Sequence, residues 1–440
     1  MMRLFRYLCL LVLLETPFVS EAQSGTKPTV AIIKNPFSGS PTHLAHKLKE
    51  RLSITVQGYK RRTLYHSPQT PGFTCWASIW RTWEGEAAVT FTQATGAIEG
   101  WHPRAPKEVL RRMPLANQQI EGYDMTGRVL ENIYLRSSDN GRTWRKTGTE
   151  PFESCLNGMT GSGIATLPDG TTLRNIWGQA LPYWDVPSTG MVQRSTDGGK
   201  TWGAPATLSK DLHLQTWPKR IRMLRDGRVL MTGAACTYEQ ESWTWEAQIP
   251  RIRPCLWVSR ERIEKTSDIP KSPEQASGLT WGEPLYLTPE GTNFVGEEWD
   301  VVELENGDLL GVMRTASFDA KGKFLGQERR QCLLTKRGAT WIPSAVAPAP
   351  FPHSGHPELL QTREGVTLHI ASNGISWTSD RGATWTKLAV PGTAYYPSAI
   401  QMDNGLILVV SHVGSDDAYG KGDQSIVLDV FRLSVKRVKD

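Results

Sequence analysis

An eight-residue pattern, S-x-D-x-G-x-T-W, occurs in this chain as Ser195-Thr196-Asp197-Gly198-Gly199-Lys200-Thr201-Trp202 and again as Ser137-Ser138-Asp139-Asn140-Gly141-Arg142-Thr143-Trp144. With Thr in place of Ser it returns as Thr378-Ser379-Asp380-Arg381-Gly382-Ala383-Thr384-Trp385. Each fixed residue has a turn-making reason. The Asp carboxylate accepts hydrogen bonds from backbone N–H groups a few residues on, and Gly supplies a positive φ without steric cost. Thr and Trp then re-enter a strand, where the indole covers the edge of a neighbouring sheet. A worn copy over residues 334–341 keeps Gly338, Thr340 and Trp341 with Lys336 at the Asp position, and another ends in Gly278, Thr280 and Trp281 after an insertion. A turn repeated in this way restricts the chain to a repeat architecture.

Residues 164–208 hold one complete unit. The apolar run 164–167, the turn Pro168-Asp169-Gly170 and the run 171–177 read as a hairpin. Residues 190–194 make a third strand, the octapeptide follows, and 204–208 make a fourth. The first unit reads the same way over 73–80, 88–93 and 129–136, and the third over 220–224, 229–235 and 256–259. The fourth occupies 299–304, 309–313 and 331–334, the fifth 357–361, 366–371 and 375–377, and the last 399–402, 406–411 and 425–433. Six units of about four strands predict an all-β fold, a six-bladed β-propeller with four-stranded antiparallel blades. The last unit lacks a fourth strand, so a segment ahead of the repeats, residues 55–65, is expected to close the ring. The resulting division is a leader over 1–22, an extension over 23–57 with an amphipathic helix at 41–52 (Leu44, Leu48, Leu52), and a propeller over 58–440.

Positive residues near the N-terminus, the apolar core 7–14 and small residues at Ser20 and Ala22 have the form of a cleavable secretory signal, so a secreted or periplasmic protein is expected. That core is shorter than the ~20 residues a membrane span needs, and no stable membrane insertion is expected. The net charge of +6 is spread among acids without a long basic run, so nucleic acid is not an implied partner. Cleavage after Ala22 leaves five of the six Cys, an odd number. Cys236 and Cys255 flank one loop and are close enough in sequence to be bridged, although sequence cannot establish pairing. None has metal-site spacing, and no metal or other cofactor is expected. Five of the 17 Trp belong to the octapeptides, which leaves others for packing or for stacking on sugar rings.

The octapeptide is that of the Asp-box, or BNR, repeat, and with the six units it resembles the sialidase (neuraminidase) superfamily. The boxes lie between the third and fourth strands of a blade, so chemistry is expected on the opposite face, where first strands begin and second strands end. There residues 297–314 resemble a sialidase segment in which a Glu opens one strand and an Arg ends the next; Glu298 and Arg314 match those positions. Tyr396 stands nine residues before Gly405, the spacing of the sialidase nucleophile from its hairpin Gly. The resemblance implies a retaining exo-glycosidase acting through a Tyr–Glu pair. A neutral phenol can approach an anomeric carbon that bears a carboxylate, where an anionic nucleophile would be repelled, and Glu takes the phenol proton. The Arg fork suits the substrate carboxylate.

Two parts of that pattern depart. The first arginine of the usual three-arginine clamp is replaced by residues 74–76, Thr-Cys-Trp, and the late one is missing from residues 373–377. Arg104, Arg220 and Arg81 are possible substitutes. For the general acid the long loop of the first unit offers Asp124 and Glu99. His353 and His356 open the fifth unit on the same face and are suited to binding a sugar hydroxyl or moving a proton. Trp184, in an aromatic loop, is expected to wall the site. The expected partner is a glycan or glycoconjugate, and the leading function is removal of a terminal acidic sugar, sialic acid or a relative. A uronate-specific glycosidase, a polysaccharide lyase and a non-catalytic glycan-binding propeller remain open alternatives.

Overall fold

The computed structural model describes residues 51–97, 105–111, 127–151, 163–176, 186–238, 251–266, 268–272, 279–290, 292, 294–319, 323–352, 355–414 and 422–438. They form six small antiparallel sheets in a ring, with one short helix, α1 (Lys107–Leu110). Blade one is β2 (Phe73–Arg81), β3 (Ala87–Gly96), β4 (Arg128–Ser137) and β5 (Arg145–Pro151). Blade two is β6 (Ile164–Thr166), β7 (Thr172–Ile176), β8 (Met191–Ser195) and β9 (Ala206–Thr207). Blade three is β10 (Leu214–Met223), β11 (Val229–Thr237), β12 (Arg253–Val258) and β13 (Leu285–Tyr286). Blade four is β14 (Phe294–Glu303), β15 (Leu309–Phe318), β16 (Phe324–Arg337) and β17 (Thr340–Pro343), with β18 (Ala347–Pro348) added on β16. Blade five is β19 (Glu358–Gln361), β20 (Thr367–Ala371), β21 (Gly374–Thr378) and β22 (Thr386–Lys387).

Blade six is β23 (Tyr395–Gln401), β24 (Ile407–Val413) and β25 (Ser425–Val438), completed by β1 (Arg51–His66) from the other end of the chain. Its register runs from Arg51 opposite Val438 to His66 opposite Ser425. Leu52, Ile54 and Val56 pack with Leu433 against the core shared with blade five, so the same alternation that makes β1 a strand also closes the ring. The strand begins earlier than residue 55 and takes in residues 51–57, which sequence alone had assigned to the extension. The expected helix at 41–52 lies outside the described residues except for Arg51 and Leu52, which are strand.

The first two strands of each blade are joined by the same turn. Gly85, Gly170, Gly227, Gly307, Gly365 and Gly405 all have φ between 81° and 84°, and each donates its N–H to the carbonyl three residues back. A side chain at such φ is disfavoured, which is why Gly recurs there. The octapeptides form the other set of turns. Thr143, Thr201 and Thr384 each donate N–H at 2.9 Å and Oγ1 at 2.6 Å to Asp139, Asp197 and Asp380. In blade three Glu261 takes the Asp role across the insertion, accepting from Thr280 N at 2.7 Å and Thr280 Oγ1 at 2.6 Å. In blade four, where Lys336 replaces Asp, the strands join directly with Arg337 opposite Thr340.

Innermost strands are stitched from blade to blade. Asp300 on β14 accepts from Arg222 Nε of β10 at 3.0 Å and from Leu359 N of β19 at 2.6 Å. Glu358 on β19 accepts from Ala399 N of β23 at 3.0 Å, and Ser398 Oγ accepts from Ile79 N of β2 at 3.2 Å. Between blades lie apolar seams: Ile407, Val409 and Phe431 with Leu368 and Ile370, for example, all fully buried. Each such side chain contributes about 1.5–3 kcal/mol by leaving water.

Cys236 and Cys255 are buried thiols and not a disulfide. On the paired strands β11 and β12, Cys255 stands opposite Gly233, three positions from Cys236. Three strand positions are roughly 10 Å, beyond disulfide reach. Burial pushes the Cys236 thiol up to about 12. Among the described residues no helix is long and apolar enough to cross a membrane, and no group of His, Cys, Asp and Glu has the arrangement of a metal site.

Candidate active site

Four of the six innermost strands carry the same irregularity near their start. Two residues face one on the neighbouring strand between Cys75 and Ser78, Pro218 and Ile221, Val295 and Glu298, and Tyr395 and Ser398. Such a bulge re-aims side chains that strict alternation would send into the blade. The first extra residue is Trp76, Lys219, Gly296 and Tyr396 in turn. Trp76 and Tyr396 sit at φ 52° and 50°, a left-handed conformation unusual for an aromatic residue and costing about 1–3 kcal/mol. Neighbouring strands must hold that strain in place.

Tyr396, Glu298 and Arg314 meet at this level. The Tyr396 hydroxyl donates to Glu298 Oε1 in a short hydrogen bond. Arg314 Nη1 donates to Glu298 Oε2 at 2.8 Å and to the Tyr396 oxygen at 3.2 Å. Glu298 and Arg314 are cross-strand partners on β14 and β15, while Tyr396 comes from blade six. All three are buried: 5%, 0% and 7% exposed for Glu298, Arg314 and Tyr396. Burial alone would raise the Glu298 pKa, but the charges of Arg314 and Lys219 and the two hydrogen bonds outweigh it and hold the carboxyl below its usual range. Against the same burial, Tyr395, Glu298 and Tyr396 keep the Arg314 pKa raised. The result is a charged carboxylate with a phenol proton already directed at it.

The surroundings come from four blades. Rings of Tyr395, His412 and His356 stand 5.0, 5.7 and 5.8 Å from the Tyr396 ring. Arg220 Nη2 lies 3.3 Å from His356 Nδ1 and donates to Pro397 O at 2.8 Å. Arg329, opposite Arg314 on β16, donates to Gly355 O at 2.9 Å. Burial, with Arg220, Lys219 and Arg329 around it, drives the His356 pKa well down, so its ring is neutral. Glu358 is equally buried, yet its pKa is raised: burial and the Asp300 charge outweigh Arg220 and Arg222.

Of the residues named from sequence, Tyr396, Glu298, Arg314 and His356 therefore come together. Asp124, Glu99, His353, Trp184 and Arg104 lie outside the described residues. Arg81 does not join the group. It ends β2, at the hairpin end of the blade, and its Nη1 bonds Asp403 Oδ1 at 2.9 Å. Arg220 does join it, brought there by the bulge. Lys219, Arg329, Tyr395 and His412 were not singled out from sequence. At the bulge Pro218-Lys219-Arg220-Ile221 aligns with Tyr395-Tyr396-Pro397-Ser398, so Lys219 holds the position of Tyr396; the sequence predicts this strand from residue 220, whereas β10 starts at Leu214.

No family model matches this sequence, and no curated protein is significantly similar to it. Solved structures are similar. A protein of unknown function from Dyadobacter fermentans matches at 18% identity and TM-score 0.56 over 86% of this chain and 99% of its own. An α-L-arabinanase from Penicillium chrysogenum matches at 13% identity and TM-score 0.54, over 86% of this chain and 98% of that one. The intramolecular trans-sialidase from Ruminococcus gnavus matches at 10% identity and TM-score 0.50, over 84% and 96%. At such identities the likeness is one of fold, and in fold this chain is a six-bladed β-propeller, as its six four-stranded blades show.

Proposed function

We propose that this protein is a glycoside hydrolase that removes a terminal acidic sugar, sialic acid or a related one, with Tyr396 as nucleophile and Glu298 as its base. The observation that carries the reading is the hydrogen bond from the buried Tyr396 hydroxyl to a carboxylate that is itself paired with Arg314. In the first step the phenol oxygen attacks the anomeric carbon, its proton passes to Glu298, and the glycosidic C–O bond breaks. Arg314 steadies the developing negative charge on the phenol oxygen. The departing oxygen takes a proton from an acid, for which Asp124 and Glu99 are the proposed residues. Water then attacks the anomeric carbon of the glycosyl-tyrosine and gives a proton to the acid residue that lost one in the first step, while the bond from that carbon to the tyrosine oxygen breaks and Glu298 returns its proton to Tyr396. An arabinanase and a trans-sialidase among the similar folds support glycan chemistry. We also propose that residues 1–22 direct export, which would bring the enzyme to extracellular glycans.

Hydrolysis of fluorogenic sialosides and uronosides by the full chain tests the reading. The wild type should turn over at least one of them, and Tyr396→Phe should lower kcat/KM by at least about a thousandfold. Undiminished turnover by Tyr396→Phe would remove the nucleophile. An unsaturated product absorbing in the ultraviolet would replace hydrolysis with elimination, and glycan binding without any product would replace catalysis with recognition.

A further inference from the structure

Arg220 is held by one nitrogen. Its Nη2 donates to Pro397 O at 2.8 Å and Pro357 O at 3.3 Å, and lies 3.1 Å from Glu358 Oε2. Nε and Nη1 have no hydrogen-bond partner among the described residues, although the side chain is 1% exposed. A guanidinium bears five N–H donors, and burying such donors without acceptors is costly. The contacts on Nη2 fasten the group to the backbone directly after Tyr396 and to the segment that carries His356.

His356 is the second unfilled group. Its Nδ1 is 2.8 Å from Pro357 O, so the ring proton sits there and is donated to that carbonyl. Nε2 is then a bare acceptor, buried and without a partner among the described residues. Cationic donors and a neutral acceptor thus stand side by side, next to the phenol ring. That combination suits a ligand offering a carboxylate and a hydroxyl on adjacent positions.

We infer that Arg220 recognises the carboxylate of the sugar bound at Tyr396, and that His356 Nε2 accepts a hydrogen bond from a hydroxyl of the same sugar. The inference rests on the acidic-sugar reading above and makes its source of acid recognition more specific: blade three supplies an arginine in addition to Arg314 of blade four. Blade one has Trp76 at the corresponding bulge, and the fifth blade's Asn373-Gly374-Ile375-Ser376-Trp377 contains no arginine. The bulge in β10 sets Lys219 and Arg220 together opposite one residue of β11, so the pair departs from strict alternation at this position, and both are 1% exposed.

The test is calorimetric titration of the full chain with N-acetylneuraminic acid, glucuronic acid and the methyl ester of each. At least one free acid should bind, and its ester, which has lost the charge, should bind about tenfold or more weakly. Arg220→Gln should lower the acid-to-ester ratio by about fivefold or more. Arg220→Lys keeps the charge and the Glu358 contact, and should lower the ratio by about threefold or more, so a folded variant is available if the Gln form is unstable. Wild-type ratios in both folded variants, equal binding of acid and ester, or binding of neither acid would overturn the inference. Tyr396→Phe separates the two readings. If it retains full turnover while the Arg220 variants lose the ratio, the nucleophile is wrong and Arg220 recognition stands; if it abolishes turnover while the Arg220 variants keep the ratio, Arg220 recognition alone is wrong.

Discussion

Replacing Glu298 by Gln removes the negative half of a buried pair whose positive half, Arg314, has 0% exposure and bonds Glu298 Oε2 at 2.8 Å. Stranding a buried charge in this way costs about 3–5 kcal/mol. The amide keeps one acceptor oxygen of the same shape, which returns about 1 kcal/mol. The expected loss is therefore about 2–4 kcal/mol at pH 7. Arg314→Met should cost a similar amount, because the carboxylate then loses its bonded guanidinium while remaining buried. The double variant removes both charges and should fall short of the sum by at least about 2 kcal/mol. Urea unfolding followed by tryptophan fluorescence measures all three. The pH dependence gives an independent check. The folded Glu298 pKa is lower than that of the unfolded chain, so its stabilisation is complete above the ordinary carboxylate range and drains as pH falls through the folded value. Wild type and Glu298→Gln should therefore converge in acid. A loss under about 1 kcal/mol at pH 7, or additivity within about 0.5 kcal/mol, would refute the account of this pair.

Two further outcomes are expected. Asp380→Ala removes the acceptor of Thr384 N, Thr384 Oγ1 and Thr378 Oγ1 from one octapeptide turn. It should cost about 1–3 kcal/mol while leaving turnover unchanged, because these turns lie on the face away from Tyr396; a fall in kcat of the folded variant would contradict that division of faces. His356 and His369 are buried, and burial, with nearby arginines, pushes both pKa values well down. Below about 6.5 the unfolded chain takes up protons that these folded imidazoles refuse, so stability should fall as pH drops through that window. His369 stacks on Phe351 at 4.2 Å, and His369→Phe should retain that contact while flattening the change in Tm between pH 7.5 and 5.5; an unaltered change would count against the assignment.

The parts of the molecule legible in the sequence are those decided within a few residues of chain. A Gly at φ near 82° in each first hairpin and an Asp bonded to the Thr four residues on are local solutions to local turn geometry, so the hairpin signals and the octapeptides together predicted the blades, their number and their strand order. Even ring closure followed from counting strands, since an unpaired edge on blade six required a partner and residues 51–66 supplied it. The site was legible only as residue types in a familiar register. That Tyr396 reaches Glu298 across 98 residues of chain, that Arg81 points to the opposite end of its blade, and that Arg220 turns inward beside His356 are consequences of how blades dock and where a strand bulges. A bulge is one residue inserted into an alternating pattern, and alternation by itself does not reveal it. Local turn chemistry thus determined the architecture, while the bulged inner strands, packed in register around the axis, decided which charges face one another.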